Sequence, residues 1–158
     1  MNSRFLFPYK FKIAGLILLI PGLILGVMSF FFNCESSLLD WKVFAIADAS
    51  FLRGDVYFQM VENNVTNELA GILLIVSLVF IAFSREKQED EYISKIRLES
   101  LLWATYINYG ILVLSLIFLY NFAFFWVMIF NMFTLLIIFI VRYYIMLNKM
   151  KREMTHEE

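Results

Sequence analysis

The sequence predicts an all-α membrane protein, a four-transmembrane-helix bundle, on two observations. Hydrophobic residues make up 61% of the 158 residues, and 18 of them are Phe. A water-soluble chain of this length has too small an interior to bury so many large apolar side chains. Four long apolar stretches also contain no charged residue, and the charged residues lie in the segments that flank them. We expect a single integral membrane domain over residues 1–158.

The first predicted span covers about residues 13–32, which is long enough to cross the hydrocarbon core as a helix. Pro21 removes one helix hydrogen bond and predicts a kink. We expect this helix to be retained, because the apolar run is too long for a signal peptide and lacks a small-residue cleavage site. Gly15, Gly22 and Gly26 share one helix face, which predicts close packing against another helix.

The remaining spans are predicted at about residues 67–84, 101–120 and 122–143. Thr66 and Asn67 are candidate caps for the second span. The third and fourth spans follow each other almost without a linker, so they must form a tight antiparallel helical hairpin.

The distribution of Lys and Arg predicts the orientation in the membrane. Eleven of the thirteen lie in the N-terminal arm, in the inside segment 85–100 or at the C-terminal end, which includes the tail 144–158. The outside loop 33–66 contains only Lys42 and Arg53. By the positive-inside rule, both termini are expected in the cytoplasm.

The outside loop predicts a small extracytoplasmic β-hairpin between the first and second helices. Residues 42–47 and 55–61 are β-prone, and a turn containing Gly54 separates them. An isolated hairpin is marginally stable in water, so we expect it to pack on helix ends or on a partner. It is either a structural cap over the bundle or a recognition surface for a ligand or another protein.

The inside segment predicts a cytoplasmic helical extension before the third helix, or a separate interfacial helix. It begins with an acidic triplet, but consecutive helical residues point about 100° apart and do not converge on one metal ion. The triplet is better interpreted as a solvated face, and the alternative is a docking surface for a cytoplasmic partner. The candidate docking residues are Glu89, Asp90, Glu91, Tyr92 and Ile96.

Three polar residues within the spans, Asn108, Asn131 and Thr134, are candidates for hydrogen bonds between helices. Counting outward from the turn places Asn108 level with Thr134. These groups either hold the helices together or line a transport path or substrate pocket. Glu99 and Arg142 should lie near the inner surface and form an ion pair.

The sequence favours a non-catalytic function. The apolar stretches within the spans (13–32, 69–83, 101–120 and 122–141) contain no acidic or basic residue, and the chain has one cysteine (Cys34) and one histidine (His156). Membrane enzymes usually need such groups, so we predict no enzyme activity, no catalytic residues, no cofactor and no metal site. A net charge of −1 gives no global field that would attract nucleic acid.

We therefore expect a multi-pass membrane protein that acts through protein contacts, as an accessory subunit, a sensor or a regulator. We expect it to interact with the lipid bilayer. We also expect it to bind either a membrane or cytoplasmic protein or further copies of itself. The alternative is a small oligomeric channel or transporter with a pore lined by Asn, Thr, Ser and Tyr.

Four segments carry a resemblance to a known family. They are residues 62–66, 84–91, 93–101 and 127–133. In these segments the chain resembles an uncharacterised family of small bacterial four-helix integral membrane proteins. The resemblance implies a bacterial inner (cytoplasmic) membrane location, and it implies no activity and no catalytic residues.

Overall fold

The computed structural model describes residues 6–32, 39–50, 54–87 and 89–156. The elements in chain order are α1 (Tyr9–Phe32), β1 (Asp40–Ser50), β2 (Gly54–Asn64), α2 (Thr66–Phe83), α3 (Glu91–Phe118) and α4 (Phe122–His156). The chain divides into two compact units, whereas the sequence predicts one domain. The first unit comprises Met1–Leu19 and Leu74–Glu158, and the second comprises Ile20–Leu73.

The helices α1 to α4 are each long and apolar enough to cross a membrane, which confirms the predicted number of apolar helices. α1 begins at Tyr9 rather than near residue 13, and Pro21 lies inside it. The predicted helical extension before the third span is continuous with α3, which begins at Glu91.

The helix α4 continues beyond the predicted span and through most of the predicted tail, to His156. The segment contains no Gly or Pro and is rich in Met, Lys, Arg and Glu. These residues favour helix, so α4 does not stop where its apolar part stops.

Local side-chain and turn chemistry determines where the helices begin. The Thr66 backbone N–H donates to Asn64 Oδ1 at 3.1 Å, directly before α2. The Glu91 backbone N–H donates to Asp90 Oδ1 at 2.7 Å and so caps α3. Between α3 and α4, Asn121 has a φ of 57°, a conformation that Asn adopts more readily than most residues. α3 and α4 pack against each other, as the predicted helical hairpin requires.

The core of the first unit lies where the end of α2 meets the first half of α3 and the second half of α4. Its buried residues are Ala82, Ile93, Ile96, Ala104, Phe139, Tyr143 and Leu147. Phe139 stacks between Phe83 and Tyr143, with ring centroids 5.7 and 6.0 Å apart. Nearer the α3–α4 turn, large apolar side chains such as Leu116 and Phe122 are exposed. Lipid chains would solvate this surface without an unfavourable exposure of apolar area.

The second unit contains the predicted β-hairpin, which the structure confirms and extends. β1 and β2 pair in antiparallel register, from Asp40 with Asn64 at the base to Ser50 with Gly54 at the turn. The Val65 backbone N–H donates to the Leu39 carbonyl at 3.0 Å and continues the pairing beyond the base.

Candidate functional site

The first unit buries an arginine at the connection between α2 and α3. Arg97, near the second turn of α3, has only 2% of its surface exposed. Its Nη1 donates to Glu89 Oε1 at 2.6 Å. Its Nη2 donates to the Tyr143 hydroxyl at 3.2 Å and lies 3.4 Å from the Ser84 carbonyl oxygen. Taking a charge out of water costs several kcal/mol unless it is paired and hydrogen-bonded. The three partners engage both Nη atoms, whereas Nε is buried without a hydrogen-bond partner among the described residues.

A second ion pair joins α1 to the same connection. Lys12 Nζ lies 2.7 Å from Glu86 Oε1, and both side chains are largely buried. The ammonium group also lies 4.8 Å from the centroid of the Tyr144 ring on α4. The Glu86 backbone N–H donates to Glu89 Oε2 at 3.0 Å, so Glu89 links the two ion pairs.

The residues before α1 hold the connection through their backbone. The Phe7 N–H donates to the Phe83 carbonyl at 3.0 Å, and the Arg85 N–H donates to the Phe7 carbonyl at 2.9 Å. Phe7 and Ser84 thereby form a parallel β-bridge. The Ser84 hydroxyl donates back to the Phe80 carbonyl of α2. Side-chain and backbone bonds therefore fix the same short segment.

We term Lys12, Glu86, Glu89, Arg97 and Tyr143 the connection network. Its two cations face two carboxylates, and each carboxylate is engaged by a cation. Acid–base or nucleophilic chemistry requires a group that can reach a substrate and change its bonding. Groups held in mutual ion pairs are better suited to joining segments of the fold. Within the described ranges, no group of three or more His, Cys, Asp or Glu side chains could hold a metal ion.

The residues of the predicted docking surface have different environments in the structure. The Glu89 carboxylate is bound to Arg97 inside the fold, and Ile96 is buried except where it lines the groove described below. Asp90 caps α3, whereas Glu91 and Tyr92 are exposed. The sequence could not assign Glu89 correctly, because its cation lies eight residues further along the chain.

A groove lies between the beginning of α3 and the end of α4, and Tyr92 lies on its rim. Its lining residues are Tyr92, Ile96, Met146, Lys149, Met150 and Glu153. Apolar and charged side chains both line it, and Lys149 Nζ lies 4.0 Å from Glu153 Oε1. Flexible Met side chains adapt to different partner surfaces, which makes this groove a candidate docking surface of the first unit.

The predicted ion pair between Glu99 and Arg142 is corrected by the structure. In the described part of the chain Glu99 is exposed and makes no ion pair with Arg142. The Arg142 guanidinium instead lies over the Trp103 ring, 4.7 Å from its centroid. The prediction compared depth in the membrane, and equal depth does not bring two side chains to the same side of a helix pair.

Of the predicted intramembrane polar residues, Asn108 and Asn131 bond to each other, whereas Thr134 bonds within its own helix. Asn131 Nδ2 donates to Asn108 Oδ1 at 3.1 Å, and a weaker bond of 3.5 Å returns from Asn108 Nδ2 to Asn131 Oδ1. Thr134 instead donates to the Phe130 carbonyl of its own helix. Counting from the turn placed Asn108 level with Thr134, whereas its hydrogen-bond partner is Asn131, one turn away from residue 134. The two amides satisfy each other between α3 and α4.

The predicted glycine face lies in both units. An added Cβ at Gly15 would stand 2.8 Å from the Ser77 carbonyl oxygen of α2, so the two helices touch closely there. In the second unit Gly22 is buried and Gly26 is partly buried.

The hairpin of the second unit has an exposed apolar face. Its residues are Phe44, Ile46, Phe58 and Met60. Phe58 has a φ of 53° in the middle of β2, and the regular pairing is interrupted between it and Ile46. A positive φ is unfavourable for a bulky residue, and such positions concentrate at binding surfaces.

Sequence reasoning missed the central residue of the connection network. Ile93, Arg97, Ser100 and Ala104 are spaced by four, three and four, and all four are buried. This helical periodicity was a usable signal, because it places Arg97 on the face of α3 that enters the core. Lys12 and Tyr143 gave no comparable signal, since their partners are distant in sequence.

Comparison with known proteins finds no matching family model, no similar curated protein and no similar solved structure. The resemblance to small bacterial four-helix membrane proteins therefore stays a prediction.

Proposed function

We propose that the protein is a non-catalytic, multi-pass membrane protein that acts through protein contacts, as an accessory subunit, sensor or regulator. The supporting observation is that the connection network engages its buried charges with one another. Arg97 and Lys12 each bind a carboxylate, and those two carboxylates are linked through the Glu86 backbone. Ionisable groups near or within a membrane usually indicate chemistry or transport, and here they hold the fold together.

The network also makes the ends of α3 and α4 a firm platform. It connects the N-terminal segment, the α2–α3 connection, α3 and α4 within the first unit. The groove between α3 and α4 is thus presented by helices whose positions are fixed. A pre-organised surface loses less conformational entropy when a partner binds.

The proposed location is a bacterial cytoplasmic membrane with both termini in the cytoplasm. The support is the asymmetric distribution of Lys and Arg together with four helices that are long enough to span. In this orientation the groove faces the cytoplasm and the hairpin faces the outside, so the two surfaces would serve partners in different compartments.

A photo-crosslinking experiment tests the groove as a contact surface. We would place p-benzoylphenylalanine at Tyr92 and, as the matched control, at Leu116, which is exposed in the apolar part of α3. We expect one discrete protein adduct from position 92 and none from position 116. Met150→Glu should remove that adduct by placing a charge in the groove. Equal adduct patterns at both positions would contradict a specific partner.

The polar pairing within the membrane argues against the alternative of a channel or transporter. Asn108 and Asn131 direct their amides at each other, so this pair does not present them to a pore. Liposomes that contain the purified protein alone should show no more ion flux than empty liposomes. Flux that Asn131→Leu abolishes would support the channel and contradict the contact function.

A further inference from the structure

We propose that Arg142 and Trp103 form a binding site for the phosphate group of an anionic phospholipid. The Arg142 guanidinium carbon lies 4.7 Å from the centroid of the Trp103 ring. Its Nε is buried and has no hydrogen-bond partner among the described residues. A guanidinium stacked on an aromatic ring keeps the donors at its edge available, and their planar geometry fits two phosphate oxygens.

The depth of this pair in the membrane selects a lipid phosphate. Arg142 is the first charged residue after the apolar segment 122–141 of α4. Twenty helical residues rise about 30 Å, which equals the thickness of the hydrocarbon core. Arg142 would therefore lie where the acyl chains end and the phosphates begin. This step rests on α4 crossing a bilayer, for which it is long and apolar enough.

The surface around the pair suits a lipid molecule with its chains. Trp103 is half-exposed, and indole rings prefer the interface between headgroups and hydrocarbon. Large apolar side chains are exposed near the pair on both helices, among them Leu102, Tyr106, Val141 and Ile145. A phosphate bound at Arg142 would place acyl chains along these side chains.

The nearby charges favour a lipid with a net negative charge. Arg142 has no carboxylate within ion-pair distance in the described part of the chain, so its charge is not neutralised by the protein. A phosphocholine lipid carries its own cation, which competes for the phosphate. Glu99 is exposed one turn before Trp103. Its carboxylate repels an anionic lipid and should weaken binding, although it forms no ion pair with the Arg142 guanidinium.

Lipid binding to the purified full-length protein tests the site. We would titrate the protein in detergent with phosphatidylglycerol or phosphatidylcholine and measure bound lipid by native mass spectrometry. Arg142→Gln should reduce phosphatidylglycerol binding by about fivefold. Arg152→Gln is the matched control, because it removes an exposed cation from the same helix and should leave binding unchanged. Glu99→Gln should increase binding.

Three results would overturn the proposal. They are equal binding of the two lipids, equal phosphatidylglycerol binding by Arg142→Gln and the native protein, and displacement of bound lipid by inorganic phosphate. The last result would indicate a site for free phosphate instead. If Arg142→Gln does not fold, Trp103→Leu keeps the cation and should lower binding by about threefold through loss of the stacked ring. Unchanged binding in Trp103→Leu would then overturn the site.

Discussion

Two ion pairs in this protein have similar chemistry and opposite surroundings. Arg97 and Glu89, in the first unit, lie 2.6 Å apart with side-chain exposures of 2% and 19%. Lys42 and Glu62, on the hairpin of the second unit, lie 3.4 Å apart with exposures of 69% and 75%. Water competes for the exposed pair, whereas the buried pair has lost its hydration and depends on its protein partners. Burial, rather than the presence of opposite charges, decides which pair shapes the fold.

The same contrast separates the two regions that contain these pairs. The connection network joins segments that are distant in sequence and leaves its charged groups largely inside the protein. The hairpin joins neighbouring segments and leaves Phe44, Ile46, Phe58 and Met60 on its surface. We infer that the first region is built for rigidity, and that the second has surface available for an interaction.

The largest expected effect is on the buried pair. Arg97→Met should lower the free energy of unfolding by about 3 kcal/mol, because Glu89 and Tyr143 lose their shared donor. Chemical unfolding in detergent, followed by circular dichroism, would measure the change. Arg152→Met, at an exposed position of α4, is the control and should unfold as the native protein does. Equal stability of the two variants would show that the network does not support the fold.

The next effect concerns the contact of α1 with α2 in the first unit. Gly15→Ala should cost about 1–3 kcal/mol, because its Cβ would meet a backbone oxygen that cannot move alone. Gly110→Ala is the matched control, since an added Cβ there has no neighbour within 4 Å. The control should be neutral or more stable by up to about 1 kcal/mol, because Ala favours helix. The same unfolding assay compares them, and similar losses in both variants would contradict the close approach.

A smaller effect is expected for the amide pair. Asn108→Leu and Asn131→Leu should each destabilise the protein by about 1 kcal/mol, since each leaves one amide without its partner. The double variant should lose no more than the larger single loss, because both amides are then gone. Asn148→Leu, at an exposed position further along α4, controls for the loss of an amide. Additive losses in a double-mutant cycle would argue that the two residues act separately.

The smallest effect is expected for the exposed pair of the hairpin. Lys42→Ala and Glu62→Ala should each change stability by less than about 1 kcal/mol, because water already solvates both groups. Raising the salt concentration should reduce even this difference, whereas the Arg97→Met loss should persist. A Lys42→Ala loss as large as that of Arg97→Met would break the contrast between the two regions.

The sequence predicted those parts of the fold that depend on local patterns. Charge-free apolar runs predicted the four helices, and β-prone segments on either side of Gly54 predicted the hairpin. The apolar composition predicted the span of α4 but not the full length of the helix, since helix-forming residues continue to His156.

The candidate site depends on contacts that no local pattern specifies. Lys12 and Glu86 are separated by 74 positions, and Arg97 and Tyr143 by 46. The depth of a residue in the membrane could be counted from the α3–α4 turn. This count placed Asn108 within one helical turn of the level of its partner Asn131. The rotation of each helix about its axis could not be counted, so Arg142 was assigned to Glu99 instead of Trp103.

The most direct test is which side of the membrane each region faces. In a Cys34→Ser background, Gln59→Cys would label the hairpin and Lys149→Cys the end of α4; both native residues are exposed. A membrane-impermeant maleimide should modify position 59 in intact spheroplasts, and position 149 only after the membrane is permeabilised. Labelling of both positions from the outside would contradict the proposed topology and the assignment of the groove to the cytoplasm.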